Sequence, residues 1–311
     1  MAGLAAGLRA QAVFVAADAT DVIAGLAESQ HPIGDAPIYT VDLRVAARLS
    51  TLETPATLMA VFPIPVAPAL DSLFATPPHE VPALAPASQD APSSPPPPTH
   101  AQRGPAALAV YTDRLADPGN MGTLVRAAAA FAAAALVASP GSVDLFAPKV
   151  VRASMGGVFE LPLYQDVTLE RAVDELGASV VYGLVAHGGT PLDRLGPRRP
   201  APRGPAPRGP APLGPVPRDP ASRGPAILVV GAERAGLSDE ALACVTDLVT
   251  IPLAGATGRG VESLNAGVAG AIALYELSRR PAGPALSGGG GGPRGAGPDD
   301  PAPGGSAPRK E

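Results

Sequence analysis

Apolar positions along this chain recur with two periods, and the switches between them mark out its elements. Residues 12–15 form a short apolar run that predicts a strand. Residues 19–29 have helical spacing, with Val22, Ile23 and Leu26 on one face. Residues 38–41 predict a second strand, Asp42 a helix cap and residues 45–49 the apolar turn behind it; residues 58–62 predict a third strand. Together these make a small α/β unit over residues 11–66. A longer series follows. Residues 108–112 predict a strand, and a helix starts near Met121 with Asp117 or Asn120 as its cap. Residues 133–138 are strand-like, 149–154 and 169–176 are helical, and 180–185, 227–230 and 248–253 are strands, the last of the set. Ser263 caps a final helix that runs to about Arg280. Strands alternating with helices imply a largely parallel sheet with helices on both faces.

Composition sets the boundaries of these units. The chain holds 40 prolines and 36 glycines, many of them clustered in three stretches, and such density without a triplet period predicts disorder and not collagen. The expected organisation is therefore a small domain at 1–66, a Pro-rich linker at 67–105 and a larger domain at 106–280. That domain carries a disordered insert at 196–225, where Ala-Pro-Arg-Gly-Pro recurs, and a disordered tail follows at 281–311. Aromatic residues are only 4% of the chain, so the cores must be built from Val, Leu, Ile and Ala. A single cysteine, Cys244, rules out a disulfide framework, and with four scattered histidines it leaves no metal-ligand cluster. The lone thiol agrees with a cytoplasmic setting. Ala10-Gln11-Ala12 mimics a signal-peptidase site, but no basic residue precedes the apolar part. Residues 121–139 are long enough to span a bilayer, but they are mostly alanine and contain Arg126, so no membrane partner is expected.

The net charge of −5 argues against nonspecific, charge-driven coating of nucleic acid, though not against an enzyme that reads a local RNA shape. The charge is uneven. Residues 1–100 have three Arg against nine Asp and Glu, whereas 196–225 has six Arg against Asp219 alone. That insert is either a phosphate-gripping arm or, as the repetitive composition favours, a passive linker.

Three segments stand out. In the first, Arg126 is the sole charged residue between Asp117 and Asp144, so its guanidinium either snorkels to solvent or is held at a site. Ahead of it, Pro118-Gly119-Asn120-Met121-Gly122 predicts a turn whose backbone can approach a ligand. In the second, the apolar strand 227–230 runs into Gly231, Glu233 and Gly236, at the end of a strand where open α/β sheets bind ligands. The bland alternative is a plain turn with a solvated Glu; the G-x-G-x-x-G dinucleotide spacing is missing. In the third, a Gly-rich loop leads from Ile251-Pro252 to Ser263-Leu264-Asn265, and the helix behind it carries Gly267, Ala269, Gly270 and Ala271, small enough to admit a neighbouring backbone.

In order and spacing the three segments resemble the motifs of the SpoU/TrmH branch of the SPOUT methyltransferases. These are N-x-G-x-x-x-R (Asn120, Gly122, Arg126), G-x-E-x-x-G-L (Gly231, Glu233, Gly236, Leu237), and I-P followed by S-L-N (Ile251, Pro252, Ser263, Leu264, Asn265). Residues 148–162 resemble the stretch that links the first two motifs. Residues 11–66, with Thr54-Pro55 before the third strand, resemble the family's substrate-binding domain, here without its usual first strand and helix. The Arg/Pro insert is not typical of the family, and Ala266-Gly267 stands where larger residues are common.

The resemblance implies a fold class: an α/β domain of SPOUT type, knotted near its C-terminus, behind a small α/β substrate-binding domain. It also implies an activity, the S-adenosylmethionine-dependent methylation of a ribose 2′-hydroxyl in structured RNA. Ribosomal RNA fits the two-domain build best; transfer RNA, or a noncatalytic RNA-binding or ribosome-assembly role on the same fold, are the alternatives. A homodimer whose site is completed across the interface is implied as well. Arg126 carries over as the catalytic residue, with Asn120, Glu233, Ser263 and Asn265 shaping the pocket or holding RNA. Cofactor contact carries over to Gly231, Ala232, Gly236, Ile251, Leu253 and Leu264. No metal is implied, because methyl transfer from a sulfonium needs no Lewis acid.

Overall fold

The computed structural model describes residues 2–19, 22, 25, 35–50, 54, 56–74, 108–195, 225–254 and 262–279. Most of the helix expected at 19–29, most of the insert at 196–225 and the whole tail at 281–311 lie outside these residues.

The N-terminal unit starts with a short helix, α1 (Ala2–Ala5), and a strand, β1 (Ala12–Ala16). Strand β2 (Ile38–Val41) pairs with β1 in parallel and β3 (Leu58–Val61) pairs with it antiparallel, so β1 is central. Helix α2 (Leu43–Leu49) begins where expected, because the Asp42 carboxylate accepts the Val45 N–H at 2.8 Å. Val13 and Val15 of β1 and Ala46 of α2 are buried in the unit's core, while Leu43, Val45 and Leu49 stay exposed.

A short 3₁₀ turn, Leu70–Ser72, straps this unit to the larger one. Leu70 is buried against that domain's core, and the Tyr164 hydroxyl donates to the Pro68 carbonyl at 2.8 Å.

The larger unit runs β4 (Leu108–Asp113), α3 (Pro118–Ala130), β5 (Leu136–Ala138), α4 (Pro148–Ala153), β6 (Leu163–Tyr164), α5 (Leu169–Leu176), β7 (Val180–Leu184), β8 (Thr190–Pro191), β9 (Ala226–Gly231), α6 (Asp239–Cys244), β10 (Asp247–Thr250) and α7 (Ala266–Ser278). Its seven strands lie in the order β6-β5-β4-β9-β7-β10-β8, and every neighbouring pair is parallel. All six residues of β4 and of β9 are buried, as a sheet covered on both faces requires. Successive side chains alternate between two cores. Leu108, Val110, Leu228 and Val230 face α3, α4 and α7; Ala109, Tyr111, Ile227 and Val229 face α5 and α6. Burial pushes the Tyr111 phenol up to about 12, and its hydroxyl donates to the Val167 carbonyl at 3.0 Å.

Several boundaries differ from expectation. Helix α3 starts at Pro118, three residues before Met121, with Asp117 as its cap; the Asp117 carboxylate accepts the Asn120 N–H at 2.8 Å. Asp-Pro-Gly-Asn thus forms the helix's first turn and not a free turn, since proline at the first helical position gives up no needed donor. The last helix is capped by Asn265 and not by Ser263; the Asn265 amide oxygen accepts the Val268 N–H at 3.1 Å. Strand β10 stops at Thr250, ahead of Pro252, which has no N–H for the ladder. The two-residue edge strands β6 and β8 and the one-and-a-half-turn helix α6 were not anticipated. Among the described residues no helix is long and apolar enough to cross a membrane.

Candidate active site

The sheet's topology points to one edge. From β4 the chain runs outward through β5 to β6, then returns to β7 on the far side of β9. The carboxyl ends of β4 and β9 therefore lie side by side at a reversal of winding, with Asp113 in register with Gly231. Loops from these two strands are tied across the gap. The Glu233 carboxylate accepts from the Asn120 side-chain amide at 3.0 Å and from the Asp117 N–H at 3.1 Å. Buried Asp113 accepts the Ser238 N–H at 2.7 Å. An exposed ion pair, Arg114–Glu240 at 3.3 Å, adds little.

Burial raises the Glu233 carboxyl, but the hydrogen bonds from Asn120 and from the backbone at 233, 117 and 116 outweigh it and hold the group below its ordinary value. A carboxyl depressed in the folded state contributes stability that is present above its unfolded value, near ~4.3, and is lost as pH falls through the lower folded value. Glu233→Gln is therefore expected to flatten the fall in melting temperature between about pH 5 and 3. Parallel melting curves for parent and variant across that window would show the carboxylate to be uncoupled from the fold.

The turn after β9 is closed tightly. Ala232 and Gly236 exchange both backbone hydrogen bonds at 3.0 Å, and Gly236 takes φ +70°, a conformation suited to glycine. A Cβ on Gly231 would lie 2.3 Å from the Gly236 carbonyl carbon and oxygen, so only glycine fits at the end of β9. The third segment enters through α7. A Cβ on Gly267 would stand 3.1 Å from Asn120 Cα, and one on Gly270 would meet Leu124 and Val230. Gly267 thus brings the start of α7 onto Asn120 in the first turn of α3, and Gly270 seats α7 on Leu124 one turn further on.

The structure thus brings together Asn120, Glu233, Gly231, Ala232 and Gly236 with the helix start at Asn265. Ile251 is half-buried and packs on the core shared by α3 and α7; Leu253 and Leu264 are also half-buried. Ser263 is exposed two residues ahead of the cap. Arg126 lies two turns along α3 from Asn120, on the helix's narrow exposed stripe, and forms no hydrogen bond or ion pair with any described residue. Among the described residues no cluster of His, Cys, Asp and Glu is placed to hold a metal. Sequence reasoning passed over Asp113 and Ser238. The available signal was an acid closing a run of five apolar or neutral buried strand positions.

Residues 107–275 match the SpoU rRNA Methylase family, which is more than half of the chain. The chain belongs to that family. Among relatives within it, the 23S rRNA (guanosine(2553)-2′-O)-methyltransferase RlmP of Bacillus subtilis is 35% identical over 168 residues, 53% of this chain and 55% of that protein. A 23S rRNA (uridine(2479)-2′-O)-methyltransferase of Streptomyces viridochromogenes is 31% identical over 173 residues, 56% of this chain and 53% of that protein. The chain spans about half the length of the curated relatives it matches. The crystal structure of the SpoU methyltransferase AviRb from Streptomyces viridochromogenes, in complex with AdoMet, superposes with a TM-score of 0.58 at 21% identity. That likeness covers 89% of this chain and 85% of AviRb, and it shows the SpoU fold of the two units.

Proposed function

We propose that this SpoU family member transfers a methyl group from S-adenosylmethionine to a ribose 2′-hydroxyl of RNA, with ribosomal RNA as the substrate class. The observation that carries this reading is the cradle at the end of β9. Gly231 has no room for a side chain, its turn is locked to Gly236, and Asn120 and Glu233 join it to the first motif. This closed turn sits at the carboxyl end of a central strand, beside the reversal of winding where open α/β sheets bind ligands, a place that fits the cofactor AviRb holds. Ribosomal RNA is favoured over transfer RNA by the names of the two relatives and by the separate N-terminal unit.

The residues take these roles. Gly231, Ala232, Gly236, Ile251, Leu253 and Leu264 hold the cofactor, in a domain knotted near its C-terminus. When bound, S-adenosylmethionine supplies an electrophilic methyl on a sulfonium. Asn120 and Glu233 fix the loop that faces it, and Ser263 and Asn265 meet the RNA. Arg126 stays charged, grips phosphate and stabilises the ribose oxygen as its proton leaves to solvent. The enzyme works in the cytoplasm as a homodimer, and the partner's copy of α7 completes the site. Val268, Ile272 and Tyr275, an exposed stripe along α7 at helical spacing, support that pairing. Residues 1–66 select the RNA, joined to the catalytic domain (106–280) through 67–105.

Incubation with tritiated S-adenosylmethionine and unmodified 23S rRNA transcript is expected to label the RNA at a ribose, giving one alkali-resistant dinucleotide. Labelling of purified tRNA in place of rRNA would move the substrate class, and failure to bind S-adenosylmethionine by calorimetry would leave only a noncatalytic role.

A further inference from the structure

The turn that closes the end of β9 is fastened on three sides. At its near end the Glu233 carboxylate reaches α3, accepting from the Asn120 side-chain amide at 3.0 Å and from the Asp117 N–H at 3.1 Å. At its far end the Ser238 N–H donates to buried Asp113 of β4 at 2.7 Å. Between them Leu237 lies over Gly183 of β7, where a Cβ would come within 2.9 Å of Leu237 Cδ1. Ala232 and Gly236 lock the turn internally through their two backbone hydrogen bonds. Elements from three parts of the domain, α3, β4 and β7, thus hold one short loop.

Arg234 stands at the tip of that loop. It is exposed, and it makes no hydrogen bond or ion pair with any described residue. The nearest acid in sequence, Glu233, is not its counter-ion, because that carboxylate is turned back onto α3. Other arginines of the same domain are used within the fold. Arg114 pairs with Glu240 at 3.3 Å, Arg171 pairs with Glu175 at 2.6 Å, and Arg279 donates to the Tyr275 hydroxyl at 2.6 Å. A chain of net charge −5 therefore sets a guanidinium, unpaired among the described residues, on a rigid turn at the edge where β4 and β9 end.

The substrate supplies the missing anion. A ribose 2′-hydroxyl sits one carbon away from the carbon that carries the 3′-phosphate of the same nucleotide. With S-adenosylmethionine held at the β9 turn, the methyl can reach that oxygen only when the RNA backbone runs along the turn, so a phosphate arrives beside its tip. We infer that Arg234 grips a phosphate adjoining the target ribose, as a binding residue for the RNA. The inference rests on the RNA methyltransferase reading above and deepens it. A guanidinium suits the task because its planar fork meets two phosphate oxygens at once. The fastened turn suits it because little backbone has to be ordered on binding.

The test uses the full chain and unmodified 23S rRNA transcript. Arg234→Ala removes one phosphate contact, so transcript affinity by filter binding should fall about threefold to tenfold at about 50 mM salt. That deficit should shrink by roughly threefold when salt is raised to about 200 mM, because one fewer counterion is released. Arg234→Lys keeps the charge and should keep the parent's salt dependence. Melting temperature, and S-adenosylmethionine affinity by calorimetry, should match the parent in both variants. Equal transcript affinity and equal salt dependence for the parent and the alanine variant overturn the inference. So does weaker binding with an unchanged salt dependence, which places Arg234 in the shape of the loop and not on a phosphate. Weakened S-adenosylmethionine binding overturns it in favour of the cofactor's carboxylate as the anion. These binding measurements read Arg234 whether or not the parent transfers methyl groups, so a failure of transfer sinks the earlier reading alone.

Discussion

Arg126→Ala should lower the methyl-transfer rate by roughly 100- to 1,000-fold while leaving S-adenosylmethionine affinity within twofold of the parent. The argument is positional. Arg126 is the one charged residue on α3, it sits on the exposed stripe of an otherwise buried helix, and no described carboxylate pairs with it. Among the described residues nothing uses its charge, so its removal should cost little stability. A guanidinium is protonated at any ordinary pH, which makes it a poor base and a good partner for phosphate and for a developing alkoxide. Arg126→Lys keeps the charge but loses the planar fork, and is expected to recover only a minor part of the rate. Turnover near normal in the lysine variant, with cofactor binding intact, would show that a simple positive charge suffices. A melting temperature lowered by more than a few degrees in the alanine variant would place Arg126 in the structure and not in the chemistry.

The second large effect belongs to Gly231→Ala. The new methyl would lie 2.3 Å from the Gly236 backbone, and backbone cannot swing aside as a side-chain tip can. The turn must open, which breaks the paired Ala232–Gly236 hydrogen bonds and moves Glu233 away from Asn120. We expect destabilisation at the upper end of the ~1–3 kcal/mol typical of overpacking. In a domain of this size that is a drop of roughly 6–10 °C in melting temperature. S-adenosylmethionine binding should become undetectable by calorimetry. If the variant melts like the parent and still binds cofactor, the cradle is more plastic than its geometry indicates.

How far these sites could be seen in the sequence differs from element to element. The strands β4 and β9 are continuous apolar runs because both sheet faces are covered, and that made them visible without neighbours. Helix α5 was bounded correctly at both ends, since Leu169, Ala172 and Leu176 repeat on one face and Gly177 closes it with φ +58°. The start of α3 was hidden because Asp-Pro-Gly-Asn serves equally as a turn and as a capped first helical turn; only the contact between Asp117 and the Asn120 N–H decides. Ser263 and Asn265 are both good caps by residue type, and packing of Gly267 on Asn120 selects the second. The links between motifs were beyond reach of any local pattern. Asn120 and Glu233 stand 113 positions apart, and Asp113 and Ser238 stand 125 apart. The resemblance supplied the order of the motifs, and the sheet topology supplied their meeting place.

The register at the centre of the sheet also governs how the protein can be made. Leu108 pairs with Ala226, so the two innermost strands cannot meet until everything between them has left the ribosome. Asn120 and Leu124 on α3 then lack their cover until α7 arrives with Gly267 and Gly270. Synthesis must pass residue 266 before the site at the carboxyl ends of β4 and β9 is complete. Until then a nascent chain of this kind is an open half-sheet, slow to close and prone to wrong partners. Stalled translation before residue 266 would release a species that chaperones, not substrate, would recognise.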